Sequence, residues 1–155
     1  MKSLRVLLNI SLHKTLSPLE RLVLEELMPF TGIAYEANYE VTPYFIDIAF
    51  PKHKQGLEID GHKYHTSEEQ AARDARRTEY LERLGWHIER VPGWFCYRYP
   101  DLAALKVLRF IPEVQQHPHY LALVRKMKQW YAGELVNEGR IEEAKRVLQD
   151  VVKED

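Results

Sequence analysis

The sequence has few of the features that define several large classes of protein. Its 155 residues include one cysteine, Cys96, which excludes an internal disulfide and favours a reducing, cytoplasmic compartment. The apolar stretch from Val6 to Ile10 is interrupted by Asn9, so it is too short for a signal peptide or a membrane span. With a net charge of −1, any nucleic-acid site must come from local clusters of lysine and arginine.

What the sequence does contain is the composition of a folded domain. Hydrophobic residues make up 45% of the chain and charged residues 29%, which is enough apolar material for a core. Strands are predicted at 34–41, 44–50, 56–60 and 86–91, whereas only helices are predicted after residue 100. We therefore expect an α/β domain over residues 1–100, and a helical extension over residues 101–155 that packs on it or is appended to it.

Two helices have clear start signals. The segment Ser17-Pro18-Leu19-Glu20 combines a capping serine, a proline at the first helical position and a glutamate three residues after the cap. This pattern predicts a helix that runs to about Met28. A second helix is predicted over residues 67–84, with Thr66 or the serine after it as the cap and Gly85 as the stop.

The strongest pattern is a hairpin that carries three carboxylates. Because side chains alternate along a strand, residues 44–50 and 56–60 can place Asp47, Glu58 and Asp60 on one face and the isoleucines on the other. In the predicted register Asp47 lies opposite Asp60. Carboxylates this close repel each other unless a cation is present, and Mg²⁺ or Mn²⁺ prefers oxygen ligands. The alternative interpretation is a solvated polar face of an amphipathic sheet.

The second predicted helix is expected to direct several charged side chains towards the interior of the domain. Its helical periodicity places Arg73, Asp74 and Arg77 on the same face as Leu81 and Leu84. Inward charge needs a partner, because an unpaired charge is costly to bury. Strand-end carboxylates or a phosphate would serve, and the alternative is a structural ion pair.

Three further side chains are candidates for chemistry. Glu20 projects from the apolar face of the first helix towards the interior or a cleft, although it also completes the capping box. His62 and His65 follow the carboxylate hairpin, where an imidazole can orient water or contact a phosphate; an ordinary surface role is the alternative. A zinc site is not favoured, because Cys96 has no second cysteine beside it.

An ordered set of these residues carries a resemblance to a known family. The set comprises Asp47, Glu58-Ile59-Asp60-Gly61, His65, Arg73-Asp74, Arg77 and Leu84-Gly85-Trp86-His87-Ile88-Glu89-Arg90, preceded by the capped helix that bears Glu20. Over about residues 17–95 the chain resembles the very-short-patch-repair-like endonucleases of the PD-(D/E)XK superfamily. The resemblance implies a restriction-endonuclease-like fold, in which helices flank a mixed β-sheet.

The resemblance also implies roles for the carboxylates. Asp47 would be the first ligand of a Mg²⁺ ion and Glu58 the second. The position two residues after Glu58 is a lysine in the superfamily pattern, and here it is Asp60. The candidates to supply the missing positive charge are Lys52, Lys63, His65 and Arg77. Because the lysine is absent, a second interpretation stays open, in which the chain is an inactive relative of these enzymes.

The resulting prediction is a Mg²⁺-dependent endonuclease that cleaves DNA, with double-stranded DNA as the expected substrate. The predicted catalytic residues are Glu20, Asp47, Glu58, Asp60 and His65, and Asp47, Glu58 and Asp60 are the predicted metal ligands. The predicted nucleic-acid contacts are Lys52, His62, Lys63, Arg73 and Arg77, with Lys52, Lys54 and Lys63 as a basic rim. The alternatives are a nuclease for RNA or junctions and an inactive nucleic-acid-binding subunit. The C-terminal helices are candidates for a homodimer or partner interface.

Overall fold

The computed structural model describes residues 16–60 and 67–153. The chain forms two compact units, of which the first ends at Val114 and the second begins at Gln115. The elements of the first unit are α1 (Pro18–Leu27), β1 (Glu36–Val41), β2 (Tyr44–Phe50), β3 (Gln55–Asp60), α2 (Glu68–Arg83), β4 (His87–Pro92), α3 (Gly93–Arg98), α4 (Pro100–Leu108) and a 3₁₀ turn (Pro112–Val114). The first unit thus runs past the predicted division at residue 100, because α4 contacts α1, α3 and the sheet.

The predicted helix starts are confirmed by their capping hydrogen bonds. The Ser17 hydroxyl accepts the backbone N–H of Glu20 at 3.2 Å, and a proline occupies the first turn of α1. The Ser67 hydroxyl accepts the backbone N–H of Gln70 at 3.1 Å at the start of α2. After α2 the chain turns at Gly85, whose φ of 88° lies in the left-handed region that glycine adopts at low cost.

The strands form a mixed sheet, as predicted. Within the described part of the chain the order is β1-β2-β3-β4, with antiparallel pairing of β1 to β2 and of β2 to β3. β3 and β4 are parallel, so the chain must cross over between them, and α2 is that crossover. The α/β fold class is therefore confirmed.

Helices cover both faces of this sheet. Arg90 of β4 donates to Thr78 of α2 at 3.2 Å, whereas its neighbour Glu89 accepts from Arg109, at the end of α4, at 2.6 Å. Successive side chains of a strand point to opposite faces, so α2 and α4 lie on opposite sides of the sheet. α1 and α3 pack against α4. The carboxyl ends of β3 and β4 are thus framed by helices.

The pairing of β2 with β3 differs from the predicted register. Backbone pairing of Ile48 with Leu57 brings Asp47 beside Glu58. The predicted register, which set Asp47 opposite Asp60, is wrong by two residues because the turn between the strands is tighter than the predicted loop. A shift of two residues keeps each side chain on its own face, so the hydrophobic pattern does not distinguish the two registers.

The alternation of side chains between the two faces of β2 is interrupted next to Asp47. Ile46 and Ala49 pack in one cluster with Leu81 of α2, although strict alternation would place residues three apart on opposite faces. Opposite Asp47 in β1 lies Asn38, whose φ of 47° is left-handed. The prediction that the two isoleucines of β2 share a face is therefore wrong. The irregularity falls at the position of a candidate catalytic carboxylate.

The second unit is a helical hairpin. Its helices are α5 (Pro118–Asn137) and α6 (Ile141–Lys153), as predicted, and they are joined by a turn at Gly139 with a φ of 79°. Ala132, Leu135 and Ala144 are buried between them. Its role as a dimer or partner interface stays a prediction. None of the helices in the described part of the chain has the length and apolar character needed to cross a membrane.

Candidate active site

A cleft of about 300 Å³ lies at the end of the sheet where β3 ends. It is lined by Phe45, Asp47, Glu58, Ile59, Asp60, Gln70, Asp74, Arg77 and Arg90. The cleft brings together Asp47, Glu58 and Asp60, the three carboxylates predicted to share a site. Residues from β2, β3, α2 and β4 thus converge on one space.

Asp47 is fixed by the backbone of the neighbouring strand. Its carboxylate accepts the N–H of Ile59 at 2.8 Å, just beyond the last backbone pair, which joins Ile48 to Leu57. The side chain therefore takes the place of a backbone carbonyl where β2 and β3 stop pairing. This bond holds the carboxylate between the two strands.

Glu58 is partly buried and paired with an arginine. Its side chain is 16% exposed and accepts a hydrogen bond from Arg77, which also donates to the carbonyl oxygen of Phe45 at 2.6 Å. The Arg77 guanidinium lies 6.0 Å from the centre of the Tyr44 ring. Burial, and then the charge of Asp47, raise the pKa of Glu58 to about 7 despite the opposing effect of Arg77. Glu58 is thus repelled by Asp47 and attracted by Arg77.

Glu20 interacts with Asp47 from α1. One of its carboxylate oxygens, Oε2, is buried and has no hydrogen-bond partner among the described residues. Burial, and then the charge of Asp47, raise the pKa of Glu20, while hydrogen bonds with Ser17 partly offset this. Glu20 therefore faces the interior as predicted and also completes its capping box, so the two interpretations of this residue are compatible.

Not every charge predicted to point inward does so. Arg77 and Leu81, one helical turn apart, are turned towards the sheet, whereas the Arg73 side chain is 69% exposed and lies 3.7 Å from Glu69. The inward prediction is wrong for Arg73, which pairs with Glu69 on the exposed side of α2. It is also wrong for Leu84, which is 42% exposed because it follows the last helical residue.

The predicted basic rim is not formed by the two lysines of the hairpin turn. Lys52 pairs with Glu113 at 3.2 Å, and Lys54 donates to the carbonyl oxygen of Leu84 at 2.7 Å. Both lie in the turn that joins β2 to β3, at the end of the hairpin away from Asp60, so the prediction that they flank the site is wrong. The predicted contacts His62 and Lys63 and the predicted catalytic residue His65 lie outside the described residues.

Arg90 and Gln70 line the cleft but were not among the predicted site residues. Arg90 is the parallel-strand partner of Glu58, and its guanidinium lies 3.7 Å from the carboxylate of Asp74. Strand β4 is visible in the sequence, but its pairing with β3 is a long-range contact that no local pattern specifies. Of the four candidates for the missing lysine's charge, Arg77 lines this cleft.

The donor set suits a hard divalent cation. Among residues 16–60 and 67–149, no three histidine, cysteine, aspartate or glutamate side chains are close enough to enclose a metal by themselves. Mg²⁺ is commonly held by one or two carboxylates, with water and substrate phosphate completing its coordination. Asp47 and Glu58 provide two mutually repelling carboxylates, and Glu20, which has an unpartnered buried oxygen, interacts electrostatically with Asp47. These residues therefore fit such an ion.

The mixed sheet lies between helices, and one cleft contains carboxylates from adjacent strands and an arginine from a helix. This arrangement agrees with the restriction-endonuclease-like class that the resemblance implies. Residues 19–111, more than half of the chain, match the restriction-endonuclease-like family REase_MTES_1575. The chain belongs to this family, which confirms the fold and the nuclease class. A similar solved structure is the catalytic domain of the homing endonuclease I-Bth0305I, with 17% identity and a TM-score of 0.48 over 65% of this chain and 99% of that one. No curated protein sequence matches the chain significantly.

Proposed function

We propose that this chain is a Mg²⁺-dependent endonuclease that hydrolyses DNA phosphodiester bonds, within the very-short-patch-repair-like group, and that Mn²⁺ can replace Mg²⁺. The observation that carries the proposal is the placement of Asp47 beside Glu58 in the cleft that Arg77 also lines. A structural ion pair needs one carboxylate for one arginine. Burial, and then the charge of the second carboxylate, raise the pKa of Glu58, and a divalent cation would offset the repulsion between the two carboxylates.

The carboxylates would hold the cation. Asp47 and Glu58 are the proposed ligands, with Asp60 and Glu20 as further oxygen donors. When bound, Mg²⁺ supplies Lewis-acid stabilisation of the phosphate charge and lowers the pKa of water. Asp47 is already oriented by the N–H of Ile59, so the chain limits the rearrangement needed to bind the ion.

The arginines of the cleft would bind the scissile phosphate. A guanidinium presents several donors in a plane, which suits two phosphate oxygens at once. Arg77 is fixed at Glu58 and Phe45, and Arg90 faces the same cleft from β4. We assign to Arg77 the charge that lysine supplies in the superfamily pattern. For His65 we propose water positioning, and for His62, Lys63 and Arg73 phosphate contacts outside the cleft.

Cleavage of supercoiled plasmid in Mg²⁺, Mn²⁺ or EDTA tests the proposal. The informative variant is Asp47→Asn, because asparagine removes the charge but keeps an oxygen that can accept the N–H of Ile59. Asp101→Asn is the matched control, since Asp101 accepts the N–H of Leu102 at the start of α4 and does not line the cleft. We expect metal-dependent nicking by the wild type and Asp101→Asn, and loss of it in EDTA and in Asp47→Asn.

Different outcomes separate the alternatives. Nicking that persists in EDTA, or in Asp47→Asn, would remove the two-carboxylate site from the mechanism. Cleavage of labelled RNA but not of DNA by the same protein would replace the DNA substrate with RNA. If the folded wild-type protein cleaves no nucleic acid with either metal, the enzyme proposal fails and the inactive binding subunit becomes the better account.

A further inference from the structure

The short helix α3 exposes two large aromatic side chains. Trp94 is 61% exposed and Tyr97 is 74% exposed, whereas Phe95 and Cys96 between them are buried. Residues three or four apart in a helix are neighbours on its surface, so the two rings lie on one side of α3, together with the exposed Arg98. These three residues form the α3 surface. Adjacent exposed aromatic rings are typical of a surface that binds another molecule.

The α3 surface lies beside the cleft but does not line it. Pro92, the last residue of β4, pairs with Asp60 of the cleft, and α3 begins at the next residue. Adjacent strands lie about 4.8 Å apart and consecutive Cα atoms about 3.8 Å apart, so the Cα atoms of Trp94 and Asp60 are within about 13 Å of each other. Burial, and to a smaller extent the charge of Asp47, raise the pKa of the Cys96 thiol to about 11. The buried side of α3 therefore faces the region of the carboxylates.

The charges of α3 and its neighbour suit a polyanion. The segment Gly93–Arg98 contains no acidic residue. Within residues 16–60 and 67–153 no ion pair neutralises Arg98, whose guanidinium lies 5.6 Å from the centre of the Tyr99 ring. Lys106 of α4 adds a second positive charge, with its Nζ 5.0 Å from the centre of the Phe95 ring. In a chain with a net charge of −1, this is a local excess of positive charge of the kind that a nucleic-acid contact requires.

Exposed aromatic rings beside cations are the combination that binds a single strand of nucleic acid. The cation holds the phosphate backbone, and each ring stacks on the flat face of a base. Successive nucleotides of a stacked strand are about 3.4 Å apart, so a distance of about 13 Å spans about four of them. A strand with its scissile phosphate in the cleft therefore reaches the α3 surface within a few nucleotides.

We propose that the α3 surface binds unpaired nucleotides next to the scissile phosphate, with Trp94 and Tyr97 stacked on bases and Arg98 on the backbone. In a duplex the faces of each base are covered by its neighbours, so the rings need bases that have left the stack. The inference rests on the proposed function, and it restricts the expected double-stranded substrate to DNA with an unpaired segment at the cleavage point. Every base has a flat face, so this contact contributes affinity without sequence preference.

The test measures binding of a labelled single-stranded oligonucleotide and of its duplex, in EDTA so that cleavage does not interfere. Trp94→Ala and Tyr97→Ala should each weaken single-strand binding about tenfold, as expected for the loss of one base–aromatic stack. Trp94→Phe should keep most of the affinity, whereas Trp94→Leu, which is apolar but not aromatic, should not. The matched control is Phe110→Ala, which should bind as the wild type does. Phe110 is also exposed, but it packs on His87 at the other end of β4, with ring centres 4.7 Å apart.

The role of Arg98 is measured by the salt dependence of binding, because a phosphate contact releases counterions and a base stack does not. Arg98→Gln should weaken single-strand binding and reduce the slope of log affinity against log salt concentration by about 0.7. Trp94→Ala should weaken binding without changing that slope. Arg76→Gln is the matched control, since Arg76 is also exposed and does not line the cleft. Its affinity and slope should equal those of the wild type, and an unchanged slope in Arg98→Gln would remove Arg98 from the contact.

The results separate this inference from the proposed function. If the wild type cleaves DNA but prefers duplex, or if the two alanine variants of α3 bind single strands as well as Phe110→Ala does, only the inference is overturned. The α3 surface would then be assigned to a protein partner. If the wild type neither binds nor cleaves nucleic acid, both the inference and the proposed function fail. Selective loss of single-strand binding in Trp94→Ala and Tyr97→Ala, with binding retained in Trp94→Phe, supports the inference even before the metal is identified.

Discussion

Replacing Glu58 with glutamine should stabilise the protein while abolishing cleavage. Burial and Asp47 together raise the pKa of Glu58 from 4.5 to about 7. The folded protein therefore binds the proton more tightly than the unfolded chain, and stability is lost as pH rises from about 4.5 to 7. Glutamine resembles the protonated carboxyl group and does not ionise, so the Glu58→Gln variant does not lose this stability as the pH rises.

The size of the effect follows from the shift. At about 1.4 kcal/mol per pKa unit, ionised Glu58 lowers the free energy of unfolding by roughly 3 kcal/mol at pH 8. At pH 5 the Glu58 carboxyl group of the folded protein is still mostly protonated, and the free energy of unfolding is lowered by less than about 1 kcal/mol. Glu58→Gln should therefore exceed the wild type in stability by much more at pH 8 than at pH 5.

Urea denaturation in EDTA, followed by tryptophan fluorescence, to which buried Trp86 contributes, measures this difference. The matched control is Glu79→Gln, because Glu79 pairs with Arg83 on the surface and both side chains are more than half exposed. Its stability should change by less than about 1 kcal/mol at either pH. Added Mg²⁺ should stabilise the wild type but not Glu58→Gln. The reasoning is refuted if Glu58→Gln is less stable than the wild type at pH 8, or if its advantage is the same at both pH values.

Three other predictions concern the fold. Gly56→Ala should cost about 1–3 kcal/mol in urea denaturation, because a Cβ there would lie 2.7 Å from Ile46 Cγ2 and 2.8 Å from Ile88 Cδ1; a neutral result would show that these side chains move freely. Ser17→Ala should lower stability by about 1 kcal/mol through loss of the α1 cap, with recovery in Ser17→Asp. Burial raises the pKa of the Cys96 thiol to about 11, so a disulfide reagent at pH 8 should react with the unfolded chain far faster than with the native protein; equal rates would contradict its burial.

The sequence predicts best what depends on neighbouring residues. The caps at Ser17 and Ser67 are made by bonds that span three residues, and both were predictable from spacing alone. The alternation of the hairpin likewise brought Asp47, Glu58 and Asp60 into one prediction. These signals are local in the chain, so no knowledge of the packing was needed to find them.

What the sequence does not specify is long-range placement. The shift of the hairpin register by two residues depends on the turn, where Lys54 adopts a left-handed φ of 50° that its residue type does not favour. Arg90 reaches Glu58 only through the parallel pairing of β3 and β4. The helical periodicity of α2 identifies its inner face but not how far along the helix that face is covered, so it does not predict that Arg73 is exposed.

The bond between Asp47 and the N–H of Ile59 makes one backbone amide a reporter of the candidate site. That amide can exchange its hydrogen with deuterated solvent only when the carboxylate moves away from it or the strands separate. Its exchange rate thus records how long the carboxylate stays in place, in the absence of any substrate. A ligand that draws Asp47 away from the amide would speed up this single exchange, while the amides of the paired residues Ile48 and Leu57 would keep their protection.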